Sequence, residues 1–411
     1  MTRTNRAVHT PLYLTALCVA ALLTGLVWAD GNRLLNVQPE ILARADAKDR
    51  DGFGSAVALG DDIAAVGAAG ADGPTQDAGA VSLYEHSENT WRKHAVLRLE
   101  NVGVNTRFGT ALDLENGWLA AGASGIYSDL GAVYLYREND GEWQEQTRLT
   151  PTENQDFVFF GSTLDMDADS LAVGAPGYDG DSEDSGLVMT YRLTDAGTWT
   201  DGSPLSPDSP VAGERFGTDV ALDGNRLLVG AAGAQGIEAA YLFEYREGAW
   251  QQTARLSEDP GAGYGEAVAL QGDTALVAAR RAVGDSGEPQ GAVFAYALKN
   301  GAWTRQAVLR SDAPARRDQF GAALALDDDI ALVAAPRDDG AAADAGAVFL
   351  FARSEGGWQL QGRLARTGAE AYDNFGGALA LENYRAWVGT PGDVAPGSDA
   401  RGTGTVTQYQ P

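Results

Sequence analysis

Two groups of side chains in this chain are of a kind that does chemistry at a surface. The first is arginine: Arg280 and Arg281 are adjacent, and Arg316, Arg317 and Arg337 follow in the next stretch. Guanidinium forks grip a carboxylate or sulfate in a fixed geometry with charge-assisted bonds. Clustered arginine on a chain of net charge −27 is therefore a candidate anion site; local pairing with Asp285, Asp318, Asp338 and Asp339 is the alternative. The second is the acidic run Tyr178-Asp179-Gly180-Asp181-Ser182-Glu183-Asp184, whose carboxylates Asp179, Asp181, Glu183 and Asp184 have the chemistry to hold a hard cation or to sit solvated in a loop. A third feature, Phe157-Val158-Phe159-Phe160, is either a sugar or protein contact or packing beneath a loop.

Catalytic constellations are scarce. His86 and His94 are the only histidines after the first 29 residues, and two ligands do not make a metal site. No Gly-x-Ser-x-Gly elbow, His-Glu-x-x-His helix or phosphate loop occurs. A carboxylate pair suited to glycoside hydrolysis cannot be singled out among 57 Asp and Glu.

What must position these residues is a repeat. An aromatic–glycine pair recurs at Phe53-Gly54, Phe108-Gly109, Phe160-Gly161, Phe216-Gly217, Tyr264-Gly265, Phe320-Gly321 and Phe375-Gly376, at intervals of 55, 52, 56, 48, 56 and 55 residues. Each pair opens four short apolar stretches separated by turn residues. Copy six reads Phe320–Leu326, then a turn, Ile330–Pro336, a loop, Gly346–Phe351, a turn, and Trp358–Leu364. Four strands per unit of about 50 residues is the pattern of a propeller blade. The turns sort any site by face: strand-one-to-two and three-to-four links are short hairpins, whereas two-to-three and blade-to-blade links are long and lie on the opposite face. Long loops on a rigid scaffold are where binding usually resides, and the arginines and the acidic run fall there.

The chain ends support a closed ring. Six copies carry a tryptophan (Trp91, Trp143, Trp199, Trp250, Trp303, Trp358) with a leucine six residues on, and in five the next aromatic follows 11 residues after that leucine. The seventh copy stops at its third strand, Gly404–Tyr409. Leu42 precedes Phe53 by the same 11 residues, so Leu35–Leu42 is expected to supply the missing strand and remove the exposed sheet edges. The expected fold is all-β: a seven-bladed β-propeller of four-stranded blades closed by an N-terminal strand.

At these residues the chain resembles the FG-GAP repeats of integrin α propellers and bacterial surface proteins. The Phe-Gly pairs and Gly174-Ala175-Pro176 carry the resemblance, with degenerate triplets starting at Gly67, Gly122, Gly230, Ala334 and Gly389. It implies the propeller fold, and says almost nothing about function. Integrin-type blades also carry calcium loops. Here the corresponding turns are too short; Asp165-Met166-Asp167-Ala168-Asp169 has alternating carboxylates but Ser170 where glycine is wanted. No cofactor is expected, and calcium dependence is expected to be weak or absent.

Residues 1–29 read as a secretory signal peptide: Arg3 and Arg6, then the uncharged apolar run Leu12–Trp28, then small Val27 and Ala29 before the expected cleavage point. Residues 30–411 form the propeller. Removal of the leader takes away the only cysteine, Cys18, and leaves a charge of −29, which disfavours nucleic acid and anionic membrane surfaces. The expected address is secreted, periplasmic or cell-surface, without membrane insertion after cleavage. The expected role is a non-catalytic module binding a protein or glycan on its long-loop face. A carbohydrate-active propeller using loop-face carboxylates, or a structural subunit of an envelope assembly, are the alternatives.

Overall fold

The computed structural model describes residues 34–88, 90–125, 130–151, 158–180, 182–233, 236–258, 262–284, 287–395 and 401–410. The expected signal peptide and cleavage point, Phe157, Asp181 and Asp285 lie outside the described residues. Seven antiparallel sheets of four strands account for the described fold, with one helical turn over 34–36. Blade 2 is typical: Phe108–Glu115, Trp118–Ala123, Ala132–Asn139 and Glu142–Leu149 follow one another from the inside outward. The first strands of successive blades touch in turn, and blade 7 meets blade 1 through Ala378–Glu382 and Phe53–Leu59. The ring is closed, and the first strands line its central channel.

The repeated residues make the seams between blades. Every aromatic of the aromatic–glycine pairs is buried, and in five of the seven its backbone bridges in parallel to the glycine before the preceding blade's third strand, as in Gly79–Phe108 and Gly131–Phe160. The paired glycines all take φ between 79° and 95°, the left-handed region where a side chain is strained. They also let backbones meet. A Cβ at Gly67, Gly122, Gly174, Gly230 or Gly389 would collide with the carbonyl oxygen of Gly109, Gly161, Gly217, Gly265 or Gly54 on the next blade. The Phe-Gly and Gly-Ala elements are thus two halves of one inter-blade contact.

The outer residues follow one register. Leu97, Leu149, Leu309 and Leu364 end their fourth strands opposite Val81, Val133, Val293 and Val348 of the third. Two of the outer tryptophans also reach the preceding blade: Trp91 stands edge-on to Trp387 of blade 7 at 5.0 Å, and Trp199 to Trp118 of blade 2 at 5.7 Å. Blade 3 is irregular. Its fourth strand shrinks to Ser203–Leu205, against eight residues in blade 2.

Closure occurs as the leucine spacing predicts, with a shorter strand. Glu40–Leu42 pairs antiparallel with Val406–Gln408, and Leu42 faces Val406. Upstream, Leu34 is fully buried among Leu332, Leu350 and Leu364 of blade 6 and Val388 and Tyr409 of blade 7. Blade 7 lacks an outer tryptophan, and Leu34 and Leu35 make the contact to the preceding blade that the tryptophans make elsewhere.

Candidate functional site

The two faces and the channel wall differ in what they offer. An innermost strand has a free edge, so its N–H groups need acceptors. The position seven residues after each aromatic supplies them: Glu115, Asp167, Asp223, Gln271, Asp327 and Glu382, with Gly60 in blade 1. Asp223 accepts the Gly272 N–H at 2.7 Å, and Asp167 and Gln271 accept those of Gly224 and Asp328. Glu115 and Asp327 reach the backbone of Ala168 and of Asn383 and Tyr384 in the same way. At the closing seam Arg385 joins Glu382 (3.3 Å) to the carbonyls of Gly60 and Asp61 (3.4 and 2.5 Å). Each polar side chain here staples its blade to the next.

Deeper in the channel the repeat is broken in one arc. Five residues after the aromatic, blades 2 and 3 carry Asp113 and Asp165 where the other five carry alanine. Asp113 accepts the Met166 N–H and Asp165 the Leu222 N–H, both at 2.5 Å. Asp219 of blade 4 accepts from Val268 N (2.8 Å) and the Thr163 hydroxyl (2.9 Å). Water reaches all three only partly, and loss of solvation raises each carboxyl above the usual range, that of Asp219 to about 6. The third carboxylate of the alternating run, Asp169, points elsewhere, into a pair with Arg192 at 2.6 Å.

On the loop face the five arginines do not converge as free cations. Arg280 is paired with Glu266, and Arg281 lies 3.1 Å from Glu266 and 3.8 Å from Glu238. Glu266 stands two residues after Tyr264. In blades 1 and 4 that position is Ser55 and Thr218, whose hydroxyls accept the Ala69 and Ala232 N–H at 3.2 and 3.4 Å. Blade 5 replaces the same contact with a Glu–Arg pair, so Arg280 has an internal role. Arg316 pairs with Glu288 at 3.1 Å; Arg317 and Arg337 are exposed. Tyr264 is likewise compensated: its hydroxyl meets that of Tyr296 (2.8 Å), which donates to Glu258 (2.9 Å), itself paired with Arg305 (2.7 Å).

The acidic run has a structural role shared by three blades. Asp179 Oδ1 accepts the Asp184 N–H at 2.7 Å; Asp339 does the same for Asp344 (2.8 Å) and Asp72 for Asp77 (3.2 Å). The second Asp is left-handed in all three, with φ of 48°, 50° and 49°. Glu183 is exposed. Among the described residues no three His, Cys, Asp or Glu side chains are grouped to hold a metal ion. His86 meets Gln410 (3.1 Å) and His94 the Gly141 carbonyl (2.9 Å), so the histidines point apart. Val158 and Phe160 are buried, and Phe159 is partly exposed.

Buried aspartates anchor the blade-to-blade loops. Asp51, Asp318 and Asp373, each two residues before the aromatic, accept the N–H three residues upstream at 3.0, 2.7 and 2.7 Å. Two residues after the preceding leucine, Arg44 and Arg366 neutralise Asp51 (3.2 Å) and Asp373 (3.4 Å). Before Asp318 that position is Ser311, and Asp318 Oδ1 is buried with no hydrogen-bond partner. Burial, with Asp338 and Asp339 adding repulsion, pushes the Asp318 carboxyl up. Ser311→Arg is expected to raise stability by about 1.5–3 kcal/mol near neutral pH, the value of a hydrogen bond to a charged group. A group whose pKa is raised on folding stabilises at low pH and loses that contribution as pH rises. The gain in melting temperature should therefore shrink toward pH 4; an unchanged or lower melting temperature at pH 7.5 would contradict it.

A cleft of about 580 Å³ opens on the rim where the fourth strand of blade 3 is cut short, lined by Trp118, Gln146, Arg148, Tyr191, Trp199 and Asp201. Trp118 and Tyr191 are already covered, and Trp199 is half-buried.

Seven radial four-stranded sheets around a channel, with short hairpins on one face and tied loops on the other, define a seven-bladed β-propeller. The FG-GAP repeat pattern matches residues 37–84, 143–191, 199–243 and 303–351, so the chain carries FG-GAP repeats. A crystal structure of a protein from Lactobacillus plantarum shares the fold at 14% identity and a TM-score of 0.50, over 75% of this chain and 84% of that one. No curated protein matches the sequence.

Proposed function

We propose that this propeller is an exported, non-catalytic interaction module that receives a protein or glycan on its long-loop face. The observation that carries the reading is the way that face is held. In blade after blade the two-to-three loop donates an N–H to the carbonyl of the incoming blade-to-blade loop: Gly70 to Asp51 (3.1 Å), Arg337 to Asp318 (3.2 Å), Gly392 to Asp373 (3.0 Å). The loops differ in sequence yet share this tether, which suits a preordered surface that loses little entropy on binding. Exposed Arg317 and Arg337 lie on adjacent tethered loops. Export rests on the leader at Arg3–Ala29.

The test is a glycan array, together with capture of surface proteins from the native culture, followed by affinity measurement on purified material. Arg317→Ala/Arg337→Ala should weaken binding about tenfold, a loss typical of a contributing interface residue, and hairpin-face Asp61→Ala/Asp62→Ala should not. The reverse result would place the partner on the other face.

A further inference from the structure

One carboxylate on the long-loop face stands without the cation that its repeat supplies elsewhere. In blade 7, Arg366 lies two residues after Leu364 and reaches two aspartates: Asp373 of the blade-to-blade loop at 3.4 Å and Asp393 of the two-to-three loop at 2.7 Å. All three side chains are buried. Blade 1 repeats half of this arrangement, with Arg44 3.2 Å from Asp51. Blade 6 keeps both aspartates. Asp318 and Asp338 lie two residues before and 18 residues after Phe320, as Asp373 and Asp393 lie about Phe375, and they are 2% and 3% exposed. The same tether joins the two loops, from the Arg337 N–H to the Asp318 carbonyl (3.2 Å) in blade 6 and from Gly392 to Asp373 (3.0 Å) in blade 7. What blade 6 does not carry is the guanidinium, since Ser311 holds the position of Arg366.

No other group takes its place at Asp318. The Ser311 hydroxyl is turned to the Ala313 N–H at 3.1 Å. Arg363, on the fourth strand of blade 6, engages Asp338, which also accepts the Gly340 N–H at 2.8 Å. Arg316 pairs with Glu288 at 3.1 Å. Asp318 Oδ2 accepts the Ala315 N–H at 2.7 Å, while Oδ1 is buried with no hydrogen-bond partner. A buried carboxylate in that state is costly, and a cation bonded to it offsets the cost. The cover over it is thin, because residues 312–317 are all exposed.

We propose that blade 6 takes its guanidinium from outside: an arginine side chain of a partner protein enters beneath residues 312–317 and pairs with Asp318 as Arg366 pairs with Asp373.

The chemistry favours this group over a metal ion. The repeat builds the position around a planar guanidinium fork, which ammonium does not match. A single free carboxylate oxygen is far short of the roughly six oxygen ligands that Ca²⁺ takes. The inference rests on the reading that a partner docks on the long-loop face, and it narrows that partner to a protein. Arg317 and Arg337, exposed and next in sequence to Asp318 and Asp338, complement carboxylates flanking the inserted arginine.

Methylguanidinium carries the ligand group without a peptide and is the probe. At low millimolar concentration it should raise the melting temperature of the full chain by about 2 °C, the shift that a ligand at about ten times its dissociation constant gives in a domain of this size. Sodium chloride at the same ionic strength should not. Ser311→Arg and Asp318→Asn should each abolish the shift, the first by filling the position and the second by removing its charge. If one variant fails to fold, the other carries the comparison. The shift should survive Arg317→Ala/Arg337→Ala, the variant that tests the docking face, so the probe can fail without the face failing, and the reverse. A wild type that does not respond to methylguanidinium, or a response that persists in Ser311→Arg or Asp318→Asn, would overturn the site.

Discussion

Deleting residues 30–45 is expected to lower the melting temperature of the whole propeller by more than about 10 °C, or to abolish soluble expression. The segment is short, but its contacts close the ring. Burial of Leu34 contributes about 1.5–3 kcal/mol, and its loss opens the core shared by blades 6 and 7. Removing Glu40–Leu42 exposes the edge of Thr405–Tyr409, a template for pairing with another chain. Arg44 leaves with the deletion, and Asp51, 2% exposed, is stranded without its guanidinium. Breaking a buried pair from one side costs about 3–5 kcal/mol. Together these losses approach the whole stability of an ordinary domain, about 5–15 kcal/mol. Deleting only 30–39 separates the terms, since it removes Leu34 and keeps the strand and Arg44. Calorimetry showing unchanged unfolding for the longer deletion would mean that the ring closes without its N-terminal segment.

The ring was legible in the sequence because its determinants are local and repeated. Each aromatic–glycine pair marks a first strand, each outer tryptophan a fourth, and the spacing from Leu42 to Phe53 identifies the seventh blade's missing strand. The site was less legible, because its meaning depends on which residues of adjacent copies face each other. Arg280 and Arg281 look like surplus charge until Glu266 is set beside them, two residues after Tyr264 on a strand where other blades carry Ser or Thr. The acidic run looks like a cation loop until Asp72-Gly73, Asp179-Gly180 and Asp339-Gly340 are aligned, each with a second Asp five residues after the first. That signal was present in the sequence. So was the column Glu115, Asp167, Asp223, Gln271, Asp327, Glu382; acidic residues beside a hairpin pass as turn formers, which hides their role as acceptors for the next blade. The bond that Asp113 accepts from the Met166 N–H of the next blade depends on inter-blade register, which no single repeat reveals.

That register also sets the other large effect. Gly122→Ala, a change of one methyl group, is expected to destabilise the protein by about 3 kcal/mol or more, at the upper end of overpacking costs. A Cβ there would run into the carbonyl of Gly161 and crowd Ala111. The obstacle is backbone, which cannot rotate away as a side chain does, so blades 2 and 3 would have to part. Parting is resisted around a closed ring, because widening one seam strains the other six. Blades 5 and 6 show the tolerated variant: Ala278 and Ala334 occupy the equivalent position and face Gly321 and Gly376. Ala278→Gly should therefore cost only about 1 kcal/mol, from lost contact and added chain entropy. Chemical denaturation of the two variants side by side tests the asymmetry. Equal, small losses would show that the seam between blades 2 and 3 is no tighter than its alanine-containing counterparts.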